Sequence, residues 1–315
     1  MPITEAELLA GIEAKNGFPL DLVQRQAIQY GVGPLLIAAG PGTGKTEVLV
    51  ARCLKFMCCD AVAPGSIMLT TFTEKAAKNL QDRLSEAFLS LSGTYSQSLA
   101  GIDPSDLRIG TLHGLCNDIL QEYRYTAYQN LRLLDELTSA LLLHKSVVGN
   151  IQPLQPLLFA QFNYLFGNKP LNTVSKWDWA LALQQIFNRL TEDQVDVNLL
   201  QQAGGAWAAL VQGDGIYEQA LANTSACDFS RLLRYFRDFL DTAQGNLFLN
   251  GDGANMRLPL THILVDEYQD TNPIQESIYL RLADAPPHNI TVVGDDDQAL
   301  YRFRGGTVEC MVGFP

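Results

Sequence analysis

Ala39-Gly40-Pro41-Gly42-Thr43-Gly44-Lys45-Thr46 is the stretch from which the rest of this chain is read. The apolar run Leu35-Leu36-Ile37-Ala38 leads into it and reads as a buried strand. Val48-Leu49-Val50 follows it, opening a helical pattern that continues to about Cys59. Strand, glycine-rich turn and helix form the context in which G-x-x-x-x-G-K-[ST] grips a phosphate chain. Backbone N–H groups of the loop and of the helix N-terminus converge on the anion. Lys45 then reaches the β and γ phosphates, and the Thr46 hydroxyl takes a place on Mg²⁺. Ala39 stands at the first position of the pattern, where Gly is usual. The reading is a site for a nucleoside triphosphate with Mg²⁺, ATP by the argument below.

Composition sets the frame around this loop. The chain has 315 residues, 47% of them hydrophobic, enough for one large core or two ordinary ones. Glu5, Glu7 and Glu13 interrupt the first apolar stretch, so no signal peptide is expected, and no run reaches the length of a membrane span. Six cysteines without a C-x-x-C pair read as reduced thiols of a cytoplasmic protein rather than as a zinc site. A formal net charge of −12 excludes a surface coated in phosphate-binding residues. Any nucleic-acid contact must therefore use a local groove and stacking side chains.

Along the chain, Thr4-Glu5-Ala6-Glu7 has capping-box spacing for a helix to about Lys15, and Leu20 to Ile28 opens a second helix carrying Gln24. Ile67 to Thr71 reads as a second buried strand, with Thr73 capping the helix after it. Leu107 to Thr111 is a third strand candidate, followed by helix from about His113 to Tyr123. Strands alternating with helices predict a parallel α/β sheet flanked by helices. From about Tyr125 to Cys227 the chain turns rich in Leu, Gln and Asn, holds Trp177, Trp179 and Trp207, and shows little strand signal. It reads as a mostly helical insertion with the tryptophans in its core. The strand signal resumes with His262-Ile263-Leu264-Val265-Asp266-Glu267, a helix after Asn272-Pro273, and Asn289 to Asp295.

Two carboxylates at the tip of a buried strand suit a division of labour. Asp266 is placed to hold the Mg²⁺ that bridges the β and γ phosphates, and Glu267 to orient or polarise the attacking water. The segment Val265-Asp266-Glu267-Tyr268-Gln269-Asp270-Thr271-Asn272 resembles the second helicase motif of superfamily 1 DNA helicases of the UvrD/Rep type. Others appear in order: Gln24 at the adenine-reading glutamine, Ala39 to Thr46 as motif I, and Thr71-Phe72-Thr73-Glu74-Lys75-Ala76-Ala77 as motif Ia. Gly110-Thr111-Leu112-His113 resembles the next DNA-contacting segment, and Asp228 to Leu233 the return from an inserted subdomain. Val293 to Gly306 resembles motif III.

The resemblance implies a RecA-like P-loop NTPase core in two parts, residues 1–124 and 227–315, with a mostly helical inserted subdomain at 125–226. It implies that Lys45, Glu267 and Gln298 serve the chemistry, Gln298 sensing the γ phosphate. Gln24, the loop from Ala39 through Gly40, Pro41, Gly42, Thr43, Gly44 and Lys45 to Thr46, and Arg304 contact the nucleotide. Thr46 and Asp266 hold the metal. Phe72, Tyr301 and Phe303 lie along single-stranded DNA, where an aromatic face stacks on any base at about 1–3 kcal/mol, and Thr71, Thr111 and His113 contact phosphates or bases nearby. Two positions depart from the family pattern. Glu47 stands where an arginine stacks on the adenine, a cation–π contact a carboxylate cannot make, and Ser230-Arg231 replaces acidic residues of the return motif.

Motifs IV to VI, carried in this family by a second RecA-like lobe, are not in the 315 residues. The resemblance thus implies the ATP-binding half of a 3′-to-5′ single-strand translocase and DNA helicase, acting on single-stranded or 3′-tailed duplex DNA. It is expected to bind Mg-ATP, hydrolyse it slowly and not unwind DNA alone. Two alternatives stay open: the motor portion of a helicase–nuclease, and a non-motor module that uses ATP as a switch for binding DNA or protein.

Overall fold

A computed structural model describes residues 2–150, 159, 167, 170–253, 257–295 and 308–314. The chain divides into two compact units, one of residues 1–119 with 237–315 and one of residues 120–236.

The first unit is built on a five-stranded sheet. Its strands are β1 (Leu35–Ala38), β2 (Ile67–Thr71), β3 (Arg108–Thr111), β6 (His262–Val265) and β7 (Ile290–Gly294), in the spatial order β1-β7-β6-β2-β3 and all parallel. Every residue of β2 and β7 is buried, as the apolar runs predict for strands covered on both faces. β1 is different. It was expected to be buried, yet it lies at the sheet edge, its four residues alternate between half-buried and exposed, and Leu36 is 37% exposed. An apolar run reports a strand and not which neighbours cover it.

Helices of this unit start where their capping residues dictate. Thr4 and Glu7 form the reciprocal capping box of α1 (Glu5–Asn16), Asp21 and Gln24 that of α2 (Leu22–Gln29), and Thr73 caps α4 (Glu74–Thr94). α3 (Lys45–Cys58) is buried on all sides from Val48 onward, the central helix of a core that includes Leu49, Leu54, Leu69, Leu84 and Leu264. After the sheet leaves through α5 (Leu112–Glu122), the chain returns by way of α10 (Phe229–Leu240) and α11 (Ala243–Asn250) to β6. Asn272 and Gln275 then box the start of α12 (Pro273–Leu282).

The second unit is helical, as the sequence predicts: α6 (Glu136–Ser146), α7 (Lys176–Glu192), α8 (Val197–Ala203) and α9 (Gly205–Asn223). Leu143, Trp179, Leu183, Phe187, Leu210 and Tyr217 form its core, with Trp177 and Trp207 packed against it. A two-stranded parallel pair, β4 (Arg132–Leu133) with β5 (Ala226–Cys227), was not foreseen, because two residues carry no periodicity. Arg231, whose place in the return motif had no assigned consequence, is 1% exposed. Its guanidinium binds Asp214, Glu218 and Asp228 and lies 4.9 Å from the Tyr217 ring centroid. Burial pulls the guanidinium pKa down, but the three carboxylates outweigh it and drive the value up.

Candidate active site

Parallel register aligns the C-terminal ends of all five strands. Ala38 pairs with Gly294, Val265 with Val292 and Thr70, and Thr71 with Thr111. The residue after each strand therefore lies on one edge, the usual ligand edge of a parallel sheet. From one side to the other that edge carries the phosphate loop, Asp295, Asp266-Glu267, Thr71-Phe72 and Thr111.

The phosphate loop is fixed by contacts within the chain. Ala39 donates its N–H to the Gly294 carbonyl (3.1 Å), and the Thr43 hydroxyl donates to the Gly40 carbonyl (2.8 Å). Gly44 has φ +83°, a left-handed conformation, and a Cβ there would meet Gln24 Nε2 at 2.9 Å. Both constraints demand glycine. Gln24 reaches the loop from α2: its Nε2 donates to the Thr43 carbonyl (2.9 Å), while its Oε1 accepts from the Asp21 N–H (3.0 Å). Pro41, Gly42 and Thr43 are exposed and form the outer rim.

Beneath the loop, charges are left open. Lys45 Nζ is buried and has no hydrogen-bond acceptor; its nearest carboxylate oxygen, Asp295 Oδ2, stands 3.8 Å away. The Thr46 side chain is half-buried. Asp266 is 7% exposed, its N–H bonded to the Thr70 carbonyl (2.8 Å) and its Oδ1 accepting from the Glu267 N–H (3.1 Å). Burial first, and then the charge of Glu267, raise the Asp266 pKa to about 6, against the opposing pull of that N–H and of Lys45. A buried cation lacking an acceptor near a buried carboxylate is a donor set that fits a phosphate and a divalent cation. Among the described residues no group of three or more His, Cys, Asp or Glu could hold a metal ion by itself. Mg²⁺ would thus be held by Asp266 and Thr46 together with phosphate oxygens.

Glu267 adopts φ +54°, unusual for a residue with a side chain. Its Oε2 accepts from Gln269 Nε2 (2.6 Å), and Gln269 Oε1 in turn accepts from the Asp295 N–H (3.0 Å). Gln269 thereby links the carboxylate to the end of β7, packed so closely that a Cβ at Gly294 would meet its Oε1 at 2.8 Å. Neither Gln269 nor Asp295 was given a role from sequence. The signal was there, since both fall within the quoted motifs, but a glutamine two residues from an acid reads as surface until the fold buries it. Glu47, the departure from the family pattern, accepts a hydrogen bond from Asn16 Nδ2 (2.9 Å) at the end of α1.

Thr71, Phe72, Thr111 and His113 lie together at the other end of the edge, across β2 and β3. Thr71 Oγ1 is buried without a hydrogen-bond partner. The Thr111 hydroxyl donates to Glu74 Oε1 (2.6 Å) and accepts from the Gly114 N–H (3.1 Å). Glu74, an acid not singled out from sequence, thus holds the Thr111 hydroxyl. Phe72 and His113 are half-buried, and burial pushes the His113 pKa down to about 4, so its ring is neutral near pH 7. Gln298, Tyr301, Phe303 and Arg304 lie outside the described residues.

Comparison with known proteins follows the same edge. The model of the UvrD/REP helicase N-terminal domain family matches residues 20–315. The chain is 30% identical over 295 residues to DNA helicase II of Escherichia coli, covering 91% of this chain and 35% of that protein. It is 30% identical over 298 residues to the ATP-dependent DNA helicase PcrA of Bacillus subtilis (94% and 35%). It is 29% identical over 281 residues to the ATP-dependent DNA helicase SRS2 of Saccharomyces cerevisiae (86% and 22%). The chain thus spans about a third or less of the length of these relatives.

Proposed function

Since the chain belongs to the UvrD/REP helicase N-terminal domain family, we propose that it is the ATP-binding half of an ATP-dependent DNA helicase that translocates 3′-to-5′ on single-stranded DNA. One observation carries the nucleotide part: the Lys45 ammonium is buried under the phosphate loop with no acceptor of its own. Its nearest carboxylate oxygen, Asp295 Oδ2 at 3.8 Å, lies beyond hydrogen-bond reach, and a triphosphate supplies the missing acceptors. The loop N–H groups and Lys45 bind the phosphates, and Gln24 reads the adenine edge. Thr46 and Asp266 hold Mg²⁺, which when bound neutralises charge on the β and γ oxygens. Glu267, held by Gln269, orients the attacking water and takes its proton at a carboxylate oxygen. Gln298 senses the γ phosphate, and Arg304 couples it to the DNA track.

Single-stranded DNA, or the tail of a 3′-tailed duplex, runs over Thr71, Phe72, Thr111 and His113 and on to Tyr301 and Phe303. The strand order fits this path, since the phosphate loop and Asp266-Glu267 follow β1 and β6, whereas Thr71, Phe72, Thr111 and His113 lie on or just after β2 and β3. A second RecA-like lobe of the same protein completes the site. Leu22 and Val23, each 71% exposed beside Gln24, leave apolar surface for such a neighbour. The arginine such sites draw on, worth about 10³ to 10⁵ in rate, comes from that lobe.

The experiment is Mg-ATP binding, followed by steady-state hydrolysis with and without oligo-dT, with Glu267→Gln as the blank. Binding with slow turnover, abolished in Glu267→Gln, is expected. Failure to bind Mg-ATP overturns the nucleotide reading, and DNA-stimulated turnover at the rate of a two-lobed motor overturns the half-motor reading.

A further inference from the structure

Arg52 lies about two turns along α3 from Lys45 and is 1% exposed, yet among the described residues it forms no salt bridge. Its Nη1 donates to the main-chain carbonyls of Ala27 (2.5 Å), Tyr30 (3.1 Å) and Ile28 (3.4 Å), and its Nε to the Thr291 hydroxyl on β7 (3.2 Å). The guanidinium also lies 5.0 Å from the Phe56 ring centroid and 5.9 Å from that of Tyr30. Burial lowers its pKa to about 10, which leaves it a cation near neutral pH.

What balances this cation is the end of a helix. The last carbonyls of α2 have no partner within their own helix and carry the negative end of its dipole. Arg52 closes them from another helix. The other holds on α2 are few: it is eight residues long, Ile28 is its one buried residue, Arg25 pairs with Glu13, Gln29 Nε2 donates to Glu5 Oε2 (3.2 Å), and Leu22 and Val23 are exposed. At its other end sits Gln24, whose amide is fixed by Asp21 and rests on the Thr43 carbonyl. Arg52 thus joins the helix that presents Gln24, the helix that presents Lys45, and the strand that ends in Asp295.

We propose that Arg52 is a positioning residue for base recognition, setting α2 against the phosphate-loop helix so that the Gln24 amide meets the edge of the purine. This rests on the reading that Gln24 faces the base. A glutamine amide pairs with the N6 amine and N7 of adenine, so the sensitive quantity is discrimination between ATP and ITP, which carries a carbonyl in place of that amine.

The test measures affinities of the whole chain for Mg-ATP, Mg-ITP and Mg-tripolyphosphate in the wild type, Gln24→Ala, Arg52→Met, Arg52→Lys and Thr291→Val. The wild type should favour ATP over ITP on the order of tenfold. Gln24→Ala and Arg52→Met should both bring that ratio near one while tripolyphosphate binding persists. Thr291→Val, which cuts only the branch to β7, should keep it. Arg52→Lys retains the charge but not the fork and should fall between; it carries the test if Arg52→Met fails to fold. A folded Arg52 variant that keeps the wild-type ratio, where Gln24→Ala loses it, overturns the proposal. A ratio unmoved by Gln24→Ala instead overturns the reading of Gln24.

Discussion

Two buried cations, one in each unit, are met in opposite ways. In the helical unit, Arg231 is met on every side: Asp214, Glu218 and Asp228 bind its guanidinium, and the Tyr217 hydroxyl donates to Asp228 (3.0 Å). In the sheet unit, Lys45 is left without an acceptor and Asp266 is held near a pKa of 6 by its surroundings. A closed network is finished and can only hold its helices together. An open one leaves a polar atom that a ligand could satisfy, and an unsatisfied buried group is costly. Burial alone does not separate the two cases; the state of the partners does.

The sharpest way to break this comparison is to remove one cation from each unit and unfold the protein in urea without nucleotide. Arg231→Met strands three carboxylates, and the helical unit should lose about 3–5 kcal/mol. Lys45→Met removes an ammonium that no acceptor holds, 3.8 Å from Asp295 Oδ2, and should cost only about 1 kcal/mol. Equal losses would mean that Lys45 is a structural cation after all.

A smaller effect comes from the rim of the closed network. Glu192 accepts a hydrogen bond from Ser230 Oγ (2.5 Å), and burial, opposed by that bond and helped by Asp193 and Asp228, raises its pKa to about 7. The folded state therefore holds this proton more tightly than the unfolded chain. Its contribution is full below the ordinary glutamate pKa, declines as pH climbs from there to about 7, and is gone above that value. Glu192→Gln should flatten this decline, on the order of 1–2 kcal/mol, in urea midpoints taken across the same range. A decline that survives the substitution assigns it to another group.

The smallest effect sharpens the open side. Glu267 occupies left-handed backbone at φ +54°, which costs a residue with a Cβ about 1–2 kcal/mol. Glu267→Gly relieves that strain but strands the buried Gln269 amide, so stability should stay within about 1 kcal/mol of the wild type while ATP hydrolysis is abolished. A melting temperature far below the wild type would show that the Gln269 contact outweighs the strain.

Much of the sheet unit was legible because its signals are local. Thr4 with Glu7 marks a helix start by hydrogen bonds three residues apart, Thr73 marks another, and Ile67 to Thr71 announces a strand by its own composition. The edge position of β1 was not legible, because Leu35 to Ala38 pairs with residues at the far end of the chain. Arg52 and Arg231 could not be told from surface arginines, since their partners come from other helices and, for Arg52, from a strand. Gln269 was in plain view, but its task depends on the main chain of β7. Types and spacings disclose chemistry within one turn or one loop; chemistry assembled across the sheet needs the fold.

Residues flanking β1 and β7 bond across 256 positions of sequence, as Gly33 does to Asn289 (2.9 Å), and β7 is the neighbour on which β1 depends. On a ribosome adding about 5–20 residues per second, the strand that carries the phosphate loop thus waits roughly 13–50 s for its hydrogen-bonding partner. β2 and β3 need no such delay, since both are made early and pair directly. The growing chain therefore matures from the β2–β3 side of the sheet toward the phosphate loop, and nucleotide finds its complete cradle only when synthesis has passed β7.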